Sequence, residues 1–233
     1  MVYHATSIVV AGGSGTRMGS TIKKQYLMLS GKPLLIHALD AMEKQKMIAN
    51  TVVVVPAEDV LYLEEMAARH RLKKVTAIVP GGDTRGASVY CGLQAVPKDS
   101  DLVVVHDGAR PFLSQDLLQR LINAGWLEGA AIAAVPVKDT IKQVDGDQLV
   151  DKTLNRDQLW IVQTPQVFYT NILKECYQRA FIDGLQCTDD AGIAEAYGYK
   201  VKVVLGEYRN IKITTKEDLA YANWLVNATK GVF

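Results

Sequence analysis

Valine, isoleucine and alanine gather in short runs along this chain, and between the runs the apolar positions thin to every third or fourth residue. Strand-like runs occupy 6–11 (TSIVVA), 50–56 (NTVVVVP), 74–82 (KVTAIVPGG), 101–108 (DLVVVHDG), 129–137 (GAAIAAVPV) and 199–206 (YKVKVVLG). Helical spacing appears over 33–45, 57–70, 88–96 and 114–126. Runs of Val and Ile without polar alternation fit strands covered on both faces, hence a largely parallel sheet between helices. The pattern predicts an α/β fold, doubly wound around a mostly parallel, Rossmann-like sheet.

The alternation breaks once. After AAVPVKDTIKQ comes VDGDQLVDKTLNRDQLWIVQTPQ, in which DGDQ is a hairpin turn between two polar-alternating stretches. Such a hairpin is too polar for the interior of a parallel sheet. Residues 138–161 are therefore expected to project as a β-hairpin arm, a common dimerisation device, from a single domain spanning 1–233.

Bulk composition narrows the classes. The 233 residues suffice for one large domain. A net charge of +1 provides no field for nucleic acid or for an acidic membrane. Three cysteines, Cys91, Cys176 and Cys187, have no C-x-x-C spacing, which fits a reducing cytoplasm better than a disulfide framework. No apolar run approaches the roughly 20 residues of a membrane span, and the start runs into a strand without a signal-like segment.

The first strand leads into VAGGSGTRMG (10–19). Glycines let a backbone approach a ligand closely, and an adjacent arginine points to an anion. The dinucleotide fingerprint G-x-G-x-x-G fails because Gly13 and Gly15 are followed by Gly19, one residue late; the P-loop pattern fails for want of a glycine before Lys23 or Lys24. A-G-G-x-G-T-R-M followed by Lys24 remains, the plainer alternative being a glycine-rich turn with solvent-facing charges. Ligands in open α/β sheets bind beyond the carboxyl ends of the strands. Polar loops recur there: Gly81, Gly82, Asp83 and Arg85; Asp107, Gly108 and Arg110; Lys138, Asp139 and Thr140; Asn210 and Lys212.

AGGSGTRMG…KKQY resembles the signature of nucleotidyltransferases that join a nucleoside monophosphate to a phosphorylated substrate. With GGDTRGASV, VVVHDGARPF, PVKDTIK, TLNRDQLWIVQTPQ, TDDA and NIKITTKEDL in this order from about residue 7 to 226, the chain resembles one branch, the 2-C-methyl-D-erythritol 4-phosphate cytidylyltransferases of the non-mevalonate isoprenoid pathway. The resemblance implies attack by a substrate phosphate oxygen on the α-phosphorus of CTP, with release of pyrophosphate. Two anions must meet, so such a site needs cations and alignment rather than a serine or cysteine nucleophile.

By the same resemblance Arg17 and Lys24 neutralise the transition state, and Ala11, Gly12, Gly13, Gly15 and Gly108 line the nucleotide. Gly82, Asp83 and Ser88 would read the base; a turn and a helix N-cap at Ser88 is the alternative. Asp107 is expected to bind Mg²⁺, unless it merely caps the next turn. Arg156 and Lys212 would grip the substrate phosphate, with Arg110 and Thr140 around the sugar alcohol. In the family the arm crosses to a partner subunit, which makes the chain an expected homodimer with Arg156 lent between sites.

One departure stands out. Nucleotidyltransferases of this fold often carry a second acid before the final lysine motif, whereas GEYRNIKIT has Arg209 there and Glu207 nearby. His106 reads as a packed histidine, His4, His37 and His70 share no ligand spacing, and Trp126, Trp160 and Trp224 read as core or arm packing. Two further readings stay open: a ribitol-5-phosphate cytidylyltransferase, and a nucleotide-binding module without turnover, although Arg17, Lys24, Asp107 and Lys212 are all present.

Overall fold

The computed structural model describes residues 4–13 and 23–230. Its centre is β6 (Leu102–Asp107), in which all six residues are buried. Around it lie β1 (Ala5–Val10), β2 and β3 (Met28–Leu29 and Lys32–Pro33, a separate hairpin), β4 (Ile48–Val55), β5 (Val75–Pro80), β7 (Ala130–Pro136), β8 and β9 (Lys142–Val144 and Val150–Thr153), β10 (Trp160–Tyr169) and β11 (Lys202–Leu205). The main sheet runs β11-β7-β10-β6-β1-β4-β5, parallel except for β10, which is antiparallel to both neighbours.

Successive strand residues point to opposite faces, and both faces are apolar. Val53, Val55, Leu102 and Val104 pack under α1 (Leu34–Lys44), α2 (Val60–Arg69) and α4 (Gln115–Glu128). Their neighbours Val52, Val54, Val103 and Val105 pack under α3 (Arg85–Gln94), α5 (Thr170–Asp183) and α6 (Asp190–Ala196). A smaller cluster of Leu29, Leu34, Ile213 and Ala222 docks α7 (Lys216–Lys230) on the β2–β3 hairpin.

The six expected strands and four expected helices are present. The antiparallel strand β10 is an addition, because Pro165 in its middle reads against a sheet interior. The structure accommodates Pro165 at a register shift between Val162 and Gln166. Trp160 and Ile161, at the expected end of the arm, pair with Pro136 and Val135 in the main sheet, and the hairpin proper covers 142–153. Helix α3 begins three residues before the expected Ser88, since Thr84 is its N-cap and accepts the Ala87 N–H at 3.0 Å. Trp224 departs from the core reading: it is exposed and stacks on Tyr221.

Candidate active site

The chain leaves β1 toward β4 and β5 on one side and returns through β6 on the other, which opens a crevice beyond the carboxyl ends of β1 and β6. Val10 and Asp107 are partners in register, and Gly108 N–H donates to the Val10 carbonyl at 2.9 Å. Beyond this edge lies a cavity of about 420 Å³. The backbone of Ala11, Gly12 and Gly13 forms one wall, Gly82 to Arg85 with Ser88 another, and Lys24, Asp107 and Lys212 complete it. Glycine is required at Gly82 on the second wall, where a Cβ would meet Ala87 Cβ at 2.6 Å.

Asp107 is the electrostatic centre. Its Oδ1 accepts from Arg85 Nε at 3.1 Å, its Oδ2 accepts from Lys212 Nζ at 2.8 Å, and Arg110 Nε stands 3.8 Å away. Burial alone would raise the Asp107 pKa, but Arg85 and Lys212 outweigh it and hold the carboxyl well below the usual carboxylate range. Arg85 also makes a two-pronged pair with Asp190 at 3.1 and 2.8 Å, and Tyr177 OH donates to the same carboxylate. Despite burial, Asp190 and Asp107 together keep the Arg85 guanidinium firmly charged.

The loop after β6 is tied to β10 by a chain of hydrogen bonds. Asp107 N–H donates to Thr164 Oγ1 at 3.0 Å, and Thr164 Oγ1 lies 3.1 Å from His106 Nδ1. His106 Nε2 faces the Arg110 carbonyl at 3.2 Å. A carbonyl only accepts, so Nε2 carries the proton, and neutral His106 accepts the Thr164 hydroxyl at Nδ1. Burial pulls the His106 pKa down to about 4, which keeps the ring neutral near pH 7.

A second cavity, of about 380 Å³, lies on the other side of this centre. It shares Arg85, Asp107 and Lys212 with the first and adds Arg110, Gln163 and Thr164. Arg110 NH1 donates to the Asn210 carbonyl, while its buried Nε has no hydrogen-bond partner. Lys212 is aimed by its neighbours. Ile213 is buried and its N–H donates to the Ala109 carbonyl, and Thr214, Thr215 and Asp218 cap α7 immediately afterwards. Two cavities thus meet at one carboxylate held among three cations, an arrangement able to take two anionic ligands from opposite sides.

The structure brings together most of the residues singled out in the sequence: Ala11, Gly12, Gly13, Lys24, Gly82, Asp83 and Ser88 line the first cavity, Arg110 the second, and Asp107 and Lys212 both. Gly15 and Arg17 lie outside the described residues. Thr140 and Arg156 line neither cavity; both are exposed on the arm side, where Arg156 donates to the Lys138 carbonyl. Gly108 has a packing reason, since a Cβ there would meet Leu35 Cδ1 at 2.8 Å. Glu207 bonds Ser114, the N-cap of α4, and Arg209. Its carboxylate is therefore committed to the fold.

Sequence reading left Arg85 without a role and passed over Asp190 and Thr164. Only the TDDA and QTPQ stretches signalled the last two. Among the described residues no three His, Cys, Asp or Glu side chains gather into a metal cage, and no helix is long and apolar enough to cross a membrane. Asp107, whose two oxygens contact Arg85 and Lys212, is the carboxylate at the edge of this cavity that could hold a hard cation bringing phosphate oxygens as its other ligands.

Comparison with known proteins finds relatives over nearly the whole chain. The family model for IspD, 2-C-methyl-D-erythritol 4-phosphate cytidylyltransferase, matches residues 5–228. The cytidylyltransferase of that name from Pelotomaculum thermopropionicum is 46% identical over 226 residues, 97% of this chain and 95% of the relative. That from Alkaliphilus metalliredigens is also 46% identical, over 97% of this chain and 94% of its own. The crystal structure of 4-diphosphocytidyl-2C-methyl-D-erythritol synthase from Anaerococcus prevotii superposes with a TM-score of 0.86 at 35% identity, covering 97% of this chain and 96% of that one.

Proposed function

The chain belongs to the 2-C-methyl-D-erythritol 4-phosphate cytidylyltransferase family, and from that premise we propose that its two joined cavities carry out cytidylyl transfer. It moves CMP from CTP to 2-C-methyl-D-erythritol 4-phosphate, giving 4-diphosphocytidyl-2-C-methyl-D-erythritol and pyrophosphate, in the non-mevalonate route to isoprenoids. The observation that carries the site assignment is the pair of cavities sharing Asp107, Arg85 and Lys212. CTP occupies the cavity walled by the glycine backbone, and the sugar-alcohol phosphate occupies the one beside Arg110.

An oxygen of the acceptor phosphate attacks the α-phosphorus. A new P–O bond forms as the bond to the β-phosphate oxygen breaks, and its electron pair leaves with pyrophosphate. Because the nucleophile is already an anion, no residue need take a proton. The residues act by charge and alignment. Lys24 and Arg17 neutralise the charge that builds around the α-phosphorus. Lys212 and Arg110 hold the acceptor phosphate against it, and Arg85 keeps the two sides in register. Gly82, Asp83 and Ser88 present backbone and short side chains to the cytosine ring.

Asp107 would hold a Mg²⁺ delivered with the triphosphate, and that ion, when bound, supplies positive charge to the phosphate oxygens. Arg156 and Thr140 serve the acceptor site of a partner subunit in a homodimer. In support, the hairpin carries exposed Val144, Leu149 and Val150, an apolar surface suited to a second copy. Phosphorus NMR of the protein with CTP, Mg²⁺ and the methylerythritol phosphate tests the reaction. Paired diphosphate doublets from a new cytidylyl product are expected beside pyrophosphate, and their absence from a folded sample contradicts the proposal.

A further inference from the structure

Lys24, Gln25 and Tyr26 form one short 3-10 turn, with Lys23 at its N-cap. The N-cap Lys23 and the last residue of the turn, Tyr26, are held by the same carboxylate, on the segment that follows β4. Lys23 Nζ donates to Asp59 Oδ1 at 2.7 Å, and Tyr26 OH donates to Asp59 Oδ2 at 3.1 Å. Glu58 adds a second, more exposed contact to Lys23 at 2.7 Å. The ring of Tyr26 meets Tyr62 of α2 edge-on, with centroids 5.1 Å apart. The two residues between these anchors, Lys24 and Gln25, line the first cavity. We propose that Asp59 is a positioning residue for catalysis: by gripping Lys23 and Tyr26 it fixes the turn that presents Lys24 to the nucleotide phosphates.

The chemistry of the clamp is consistent. Burial and the adjacent Asp59 push the Tyr26 phenol well above its ordinary range, so it stays a donor at every working pH. Against the cost of burial, Asp59 and Glu58 hold the Lys23 ammonium in its charged form. Asp59 is itself buried, and its two oxygens are divided between the two anchors. Two lysines stand side by side at 23 and 24, and Asp59 commits one of them to the scaffold. Asp59 lines neither cavity and so acts only through the turn.

The inference rests on the proposed role of Lys24, and a double-mutant cycle separates the two. Asp59→Ala, Lys24→Ala and the double variant are assayed for kcat and for KM of each substrate, with thermal melting as the check on folding. Asp59→Ala is expected to lower kcat about 10- to 100-fold, the range for a catalytic group moved by about an ångström. The KM for the sugar-alcohol phosphate should stay unchanged. In the Lys24→Ala background the same substitution should cost nothing more. Tyr26→Phe, which removes one oxygen, should give a smaller loss with the same dependence on Lys24, and it carries the test if Asp59→Ala does not fold. Wild-type turnover in Asp59→Ala, or an equal loss with and without Lys24, overturns the clamp. Wild-type turnover in Lys24→Ala removes the role of Lys24 first, and the clamp with it.

Discussion

Lys212 Nζ stands 2.8 Å from Asp107 Oδ2, and both side chains face the junction of the two cavities. The pair is not a sealed ion pair, because Lys212 keeps over a third of its side chain exposed. It can therefore give donors to an arriving phosphate while Arg85 keeps Asp107 ionised.

Lys212→Ala should lower kcat by about 10²–10³, the usual loss on removing one preorganised charge from a transition state. It should also raise KM for the sugar-alcohol phosphate, with melting temperature nearly unchanged. Steady-state kinetics on the folded variant check both. A rise in KM for CTP alone would place Lys212 on the wrong side of the junction.

Arg85 and Asp190 should matter for folding as well as for the site. Asp190 is fully buried, and its carboxylate is satisfied by Arg85 and Tyr177. Arg85→Met would leave Asp190 and Asp107 without their shared cation, at a cost of about 3–5 kcal/mol for a broken buried pair. Urea denaturation reads this directly. A loss under about 1 kcal/mol, the range of an exposed ion pair, would contradict it.

His106 links pH to stability. Its pKa falls from 6.5 to about 4 on folding, so between these values the unfolded chain takes up a proton that the folded one refuses. Stability contributed by the neutral ring is complete above about pH 6.5, declines as the pH drops, and levels off below about 4. The shift corresponds to about 3 kcal/mol. Asp107, also depressed, loses its contribution only at lower pH. Replacing His106 with asparagine should lower stability at pH 7 and flatten the profile between pH 6.5 and 4, measured by denaturation at several pH values. An unchanged slope would mean that another group sets it.

Much of this was legible in the sequence, and the exceptions have physical causes. Runs such as VVVV at 52–55 could only be strands covered on both faces, and the loops after them had to meet at one edge. β10 escaped because Pro165 interrupts it and because antiparallel insertion leaves no periodicity signal different from that of the arm. Arg85 and Asp190 are 105 residues apart, and nothing local marks a long-range ion pair. Asp59 was likewise invisible, since a carboxylate after PAE reads as the start of α2. The motifs named residues that the fold gathers at one crevice, and tertiary contacts supply their support.

The arm can be tested by complementation. Arg156 lines neither cavity of its own chain, and the proposal assigns it to the acceptor site of the partner. Lys24→Ala and Arg156→Ala, each nearly inactive alone, are mixed under conditions that let subunits exchange. One site of each mixed dimer would then be intact, so activity should recover to about a quarter of wild type by statistical pairing. Confirmed exchange without recovery would mean that the arm serves its own subunit.

The central claim is that this site joins cytidylate to a methylerythritol phosphate. Pyrophosphate release, measured with each of CTP, UTP, ATP and GTP against 2-C-methyl-D-erythritol 4-phosphate and ribitol 5-phosphate, tests it most directly. Gly82 and Ser88 wall the first cavity, and the backbone at Gly82 lies so close to α3 that a Cβ there would meet Ala87 Cβ at 2.6 Å. This close wall favours a small pyrimidine over a purine. Rapid release is expected only with CTP and the methylerythritol phosphate. Equal release with a purine nucleotide, or with ribitol 5-phosphate, would contradict the account.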